Sequence, residues 1–274
     1  MLRNSLLNVA LASVALLLWG CNAAYSPAQS ELPPMPAMTS EEKALITKAD
    51  TARTLGKTDQ AITLYHQAAE LSQGAVRAHL ELADMYMSRS QNDAAWQVLE
   101  TAYGLYPNSE VIKSYAQLAL IQGDSQKTLA LTQQALTYNP HDVRVLNTQA
   151  VALNRLGEHR EAKDTLHTAM EHAAAAIDKE YTANNLALTY IALKDAERAI
   201  ALIEKTLPRA QNKPELRQLL AMAYGVNGNT DKAYELGLMD MNVQQVQENL
   251  RFYRQLRDGK IDSRTLFIPA NIEH

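Results

Sequence analysis

The stretches Asn184-Asn185-Leu186-Ala187-Leu188 and Lys194-Asp195-Ala196-Glu197-Arg198-Ala199 each place a small residue inside a helix-forming context. The same pattern recurs along the chain. Counting outward from Ala187, small residues stand at Ala49, Ala83, Ala116, Ala150, Ala187 and Ala221, with successive spacings of 34, 33, 34, 37 and 34. Counting from Ala199, a second series runs Ala61, Ala95, Thr128, Ala162, Ala199 and Ala233 with those same five spacings. Between the two series lies a turn position held by Gly56, Ser90, Gly123, Gly157, Lys194 and Gly228. Apolar residues at i, i+3, i+4 and i+7 on either side of each turn mark helices rather than strands.

Composition agrees. Of 274 residues, 42 are Ala and 38 Leu, against 16 aromatics. Strong helix formers dominate and strand-favouring residues are few. The expectation is an all-α chain. A net charge of −4 and a pI near 6.0 leave no electrostatic footprint for nucleic acid. A single cysteine excludes an internal disulfide and any cysteine-based zinc finger.

Two helices in a unit of about 34 residues, repeated six times, resemble the tetratricopeptide (TPR) repeat. The resemblance implies an α-solenoid of about six helix pairs, with alanines where neighbouring helices approach closely. Larger residues fill the spaces between units: Tyr86, Leu153, Tyr190 and Tyr224 on first helices, and Tyr65, Leu99, Leu166 and Ile203 on second ones. A solenoid needs its end covered. Asn242 followed three residues later by Gln245 predicts a helix start with a capping box. Val243, Val246, Leu250 and Tyr253 then form a stripe expected to face unit six, making this a C-terminal capping helix. The solenoid with its cap is placed at 41–257, and 258–274 is expected to be a flexible tail.

Residues 1–20 read as a secretory signal, with one cation at Arg3 and an apolar run from about Leu6 to Trp19. The run ends at Gly20-Cys21, which resembles a bacterial lipoprotein signal. That resemblance implies cleavage before Cys21, acylation of the cysteine, and, with Asn22 rather than Asp next to it, the periplasmic face of the outer membrane. Pro27, Pro33, Pro34 and Pro36 make 21–40 an extended tether.

No phosphate-cradling loop, nucleophile elbow or paired-histidine metal motif occurs in the sequence. Neither cofactor nor metal is expected, nor is catalysis. The seven histidines are scattered and read as solvated. What remains is a surface for protein partners. In TPR stacks the first helices line the inner face. By register, units four and five contribute Arg144, Asn147, Thr148, Asn154, Arg155, Tyr181, Asn184 and Asn185. These offer donors and acceptors to an extended peptide backbone. A solvated polar face without a ligand is the other reading of the same residues.

Lipoprotein signal, TPR stack, the Asn184-Asn185-Leu186-Ala187 unit and a cap reading Asn249-Leu250-Arg251-Phe252-Tyr253 together resemble the TadD-like TPR lipoproteins of the tight adherence (Flp) pilus machinery. That likeness implies an adaptor for pilus assembly, with the pilus secretin or other Tad components as partners. The alternatives are a type IV pilus pilotin or an adaptor for cell-wall enzymes.

Overall fold

The computed structural model describes residues 37–71, 76–206 and 213–268. All belong to one of two contact units of the chain, Pro36–His274. The segments expected to be a signal peptide (1–20) and a tether (as far as residue 36), with Cys21 between them, lie outside the described residues.

Thirteen α-helices and one 3-10 helix are present among the described residues, with no strand. They are α1 (Ser40–Thr54), α2 (Thr58–Leu71), α3 (Val76–Ser88), α4 (Asn92–Leu105), α5 (Ser109–Ile121), α6 (Ser125–Tyr138) and α7 (Val143–Leu156). The series continues with α8 (His159–His172), α9 (Ala176–Ala192), α10 (Ala196–Thr206), α11 (Pro214–Val226), α12 (Thr230–Leu238) and α13 (Val243–Arg257). The 3-10 helix is Ser263–Phe267. Six antiparallel pairs and a cap therefore match the expected repeat register, and none of the described helices is long and apolar enough to cross a membrane.

The small-residue positions carry the packing. Ala49, Ala83, Ala116, Ala150, Ala187 and Ala221 on first helices are all fully buried, as are Ala61, Ala95, Thr128, Ala162, Ala199 and Ala233 on second helices. A methyl group at these points lets helix axes come close, so neighbouring ridges interlock. Thr128 keeps the register because its hydroxyl bonds back to the carbonyl of Asp124 at 2.7 Å, which satisfies the buried oxygen. Tyr65, Leu99, Leu153, Leu166 and Ile203 are buried between them.

All six turn positions have positive φ, from 57° at Ser90 to 91° at Gly228. Glycine takes this left-handed conformation without strain, whereas Ser90 and Lys194 (φ 62°) adopt it against their β-carbon. In all six turns the amide that follows the positive-φ residue bonds back to the carbonyl five residues earlier, as from Glu158 to Leu153 at 2.8 Å. The turn is therefore a helix C-cap that every unit reuses.

First helices of successive units pack on one another, α3 on α5, α5 on α7, α7 on α9 and α9 on α11. Among the described residues no pair of second helices makes comparable contact, so the first helices form the tighter, inner side of the stack. The cap helix α13 packs on both helices of unit six. Its capping box is complete, with Asn242 Oδ1 accepting from Gln245 N and Gln245 Oε1 from Asn242 N. Two glycines make room for it. A β-carbon at Gly225 would lie 3.0 Å from Tyr253 Cβ, and one at Gly237 would lie 3.0 Å from Val246 Cγ2. Val246 and Tyr253 are buried as the stripe requires, but Val243 is half exposed because it sits in the first turn, before the helix reaches unit six.

Candidate functional site

The eight residues expected to line a partner surface separate into two groups. Arg144 and Tyr181 are exposed, and Thr148 and Asn184 are partly so. Asn147, Asn154 and Asn185 are not open donors as expected: they are 1%, 0% and 6% exposed. They form a polar ladder between the first helices of units four and five. Asn147 Nδ2 donates to Thr182 Oγ1 at 2.8 Å, and Asn185 Nδ2 donates to Asn147 Oδ1 at 3.0 Å. Seven residues further along both helices, Asn154 Nδ2 donates to Thr189 Oγ1 at 2.8 Å. Thr182 and Thr189 donate in turn to the carbonyls of Asp178 and Asn185. Among the described residues no buried side-chain nitrogen or oxygen lacks a hydrogen-bond partner. The correction has a packing cause: on α7 and α9 the polar stripe faces the neighbouring first helix, not the solvent.

Arg155 is also withdrawn from the surface. It is partly buried, and its guanidinium donates to two backbone carbonyls, Phe267 O at 2.7 Å and Leu120 O. Burial lowers its pKa from the ordinary arginine value.

Two of the accessible residues, Arg144 and Thr148, belong to a groove between α5 and α7, the first helices of units three and four, while Tyr181 and Asn184 lie on α9. Glu110, Lys113, Ser114, Gln117, Arg144 and Thr148 line it. Asp142 holds one wall twice: it caps α7 by accepting from Arg144 N and Val145 N, and it accepts from Lys113 Nζ at 3.2 Å. Lys113 also pairs with Glu110 at 2.6 Å. Partial burial lowers the Lys113 pKa, but the bonds to Glu110 and Asp142 outweigh it and leave the ammonium ion more firmly protonated. The groove is thus a row of amide, hydroxyl and charged groups with Arg144 at its open side. It can hydrogen-bond an extended backbone, and among the described residues no group of three metal-ligating side chains exists.

Four of the six described histidines, His66, His141, His167 and His172, are exposed as expected, whereas His79 and His159 depart from the solvated expectation. His79 is buried, His167 Nε2 lies 3.0 Å from the Tyr190 hydroxyl, and His141 stacks on His172 with ring centroids 3.9 Å apart. His159 bridges Asn154 Oδ1 at 2.8 Å and Ser263 Oγ at 2.9 Å. The tail is corrected too: over 258–268 it is folded back on units four and five, with Phe267 buried. Residues 269–274 lie outside the described residues.

Two tetratricopeptide repeat models match the sequence, over residues 46–110 and 182–207. A human relative, tetratricopeptide repeat protein 7A of Homo sapiens, is 31% identical over 93 residues. That match covers 34% of this chain and only 11% of the relative. Among solved structures, PilF of Pseudomonas aeruginosa is similar with a TM-score of 0.54 at 19% identity, covering 67% of this chain and 91% of that one. A thermophilic TPR protein of Thermus thermophilus gives 0.52 at 19% identity, covering 66% and 98%. YrrB, a TPR protein described as having an unusual peptide-binding site, gives 0.50 at 18%, covering 63% and 93%. These likenesses are of fold. With repeat models matched in the first, second and fifth units and six helix pairs in one register, the chain is a tetratricopeptide-repeat solenoid.

Proposed function

We propose that the protein is a periplasmic adaptor, held at the outer membrane by acylated Cys21, that serves assembly of the tight adherence (Flp) pilus through protein–protein contact. The observation that carries the contact is the open polar groove of units three and four, where Arg144, Thr148, Gln117 and Ser114 face outward between two rigid first helices. Tyr181 and Asn184 extend the same inner side into unit five. Such a row binds a flexible segment of a partner, the pilus secretin or another Tad component, through its backbone. The Asn184-Asn185-Leu186-Ala187 unit and the Asn249-to-Tyr253 cap favour the pilus assignment, and the Gly20-Cys21 junction favours the anchor. Two chains anchor a protein stably where one does not, so multiple acylation fits a permanent membrane station.

The test is a combined Gln117→Ala, Arg144→Ala and Thr148→Ala variant, chosen because these side chains are reachable and do not form the ladder. Circular dichroism is expected to match the unaltered protein while pilus assembly is lost. Pili in normal number, with the same crosslinked partners, would sink the groove reading. For the anchor, Cys21→Ser is expected to abolish palmitate labelling; unchanged labelling would remove it.

A further inference from the structure

Beyond the cap helix the chain does not stay at the end of the stack. Gly259, at φ 72°, turns it back, and it then runs along the turn edges of the units it has already built. A β-carbon at Gly228 would lie 3.4 Å from Arg257, one at Gly259 would lie 3.2 Å from Lys194 Nζ, and one at Gly157 would lie 3.6 Å from Arg264. Residues 257–264 therefore pass the turns of units six, five and four in order. An open cleft lined by Gly123, Ser125, Arg155, Thr265 and Ile268 continues the path to the turn of unit three.

The strap folds mostly on itself. Asp262 Oδ1 accepts from Arg264 N, its carbonyl accepts from Thr265, and its carboxylate pairs with the Arg264 guanidinium. It meets the body at few points, and these are specific. The 3-10 helix packs on α7 and α9, where Leu266 meets the core, and Phe267 is buried with its ring centroid 6.0 Å from that of His159. The Phe267 carbonyl accepts from Arg155 Nε at 2.7 Å. Ser263, four residues earlier, meets His159 Nε2 at 2.9 Å. His159 is itself oriented by Asn154 of the ladder, whose Oδ1 accepts from its Nδ1–H.

Two features separate this from ordinary end-capping. The end of the stack is already covered by α13, and the strap covers no end face. Arg155 is turned from solvent towards carbonyls, and the second of these, Leu120 O, belongs to unit three and not to the strap. A fixed arginine fork aimed at a backbone carbonyl is a preorganised acceptor reader.

We infer that the turn edge of units three to five is a peptide-binding site that the chain's own strap occupies at rest. Its ligand class is a short segment bearing an aromatic residue with a hydroxyl residue four positions before it. The aromatic ring packs beside His159, Arg155 takes the carbonyl of that residue, and His159 takes the hydroxyl. A partner segment of this kind displaces the strap, because the strap is tied down by few buried contacts and opens locally without unfolding the stack. The site is separate from the inner groove of units three and four and does not depend on the pilus reading.

The probe is a fluorescein-labelled peptide with the sequence of residues 261–268, Ile-Asp-Ser-Arg-Thr-Leu-Phe-Ile, read by anisotropy against the full-length protein. Phe267→Ala in the protein unlatches the strap and is expected to tighten peptide binding at least ten-fold over the unaltered chain. Arg155→Ala added to it is expected to undo that gain, and a peptide with Ala for Phe is expected not to bind. Equal binding by the latched and unlatched chains, or none by either with helicity intact, overturns the proposal. Should Phe267→Ala lose helicity, Ser263→Ala serves as the milder unlatching change with the same expected direction.

Discussion

Replacing Asn154 by Leu removes a buried amide without emptying the space it fills. Its Nδ2 donates to Thr189 and its Oδ1 accepts from His159, so two interactions go at once. Thr189 keeps its bond to Asn185 O, leaving only an acceptor unfilled, and half-buried His159 can turn towards water. The cost therefore falls in the lower part of the range for orphaned buried groups, about 1–2 kcal/mol. For a chain of this size that corresponds to roughly 2–8 °C in Tm. Thr189→Val in the same protein removes the group left unpaired, and the double variant is expected to lose no more than the single one. The coupling, about 1 kcal/mol, is measured by a double-mutant cycle in urea with helicity as the signal. Effects that add independently, or an Asn154→Leu variant as stable as the parent, would mean the amide faces the groove and the ladder does not bind unit four to unit five.

Ala150→Leu forces a branched side chain into a fully buried contact and is expected to cost roughly 1–3 kcal/mol or more, seen in the same urea titration. Gly225→Ala is expected to push α13 off unit six, since its β-carbon would meet the Tyr253 side chain; increased proteolysis within 243–257 reads this out. Docking of the strap is expected to weaken in acid. Burial holds the His159 pKa below its ordinary 6.5, while Asp262 and Glu158 raise it and Arg264 lowers it. A depressed basic group favours its neutral form when docked, so the contribution is complete above 6.5 and is lost as pH falls below it. Hydrogen exchange of residues 263–268, corrected for intrinsic rates, should accelerate over that fall, and His159→Gln should flatten the dependence.

The repeat is legible because steric demand leaves a mark at fixed spacing. Ala49 to Ala221 and Ala61 to Ala233 each need a small side chain, and the six turns need a backbone of positive φ. Even Ser90 and Lys194, which lack the glycine signal, are placed by register alone and adopt the same conformation. The polar stripe misleads for a physical reason. A helix in a stack has two interior directions, towards its own partner and towards the next unit, and a polar residue in the second direction looks like a surface residue. Asn147 and Asn154 stand seven apart, as do Thr182 and Thr189, and the two sets are offset by 35. That double recurrence is the available signal of paired burial. The strap leaves no comparable mark, because a five-residue 3-10 helix is too short to show a period. Gly225 and Gly237, glycines inside helical segments, are the readable sign that something packs closely on unit six.

The adaptor account rests on which side of the stack meets the partner. A photocrosslinking residue placed at Gln117 or Arg144, on the inner groove, should trap the pilus secretin or another Tad component in intact cells. The same residue at exposed Thr101 or Glu171, on second helices, should not. Crosslinks to those proteins from the second-helix positions alone, or from none of the four, would contradict it.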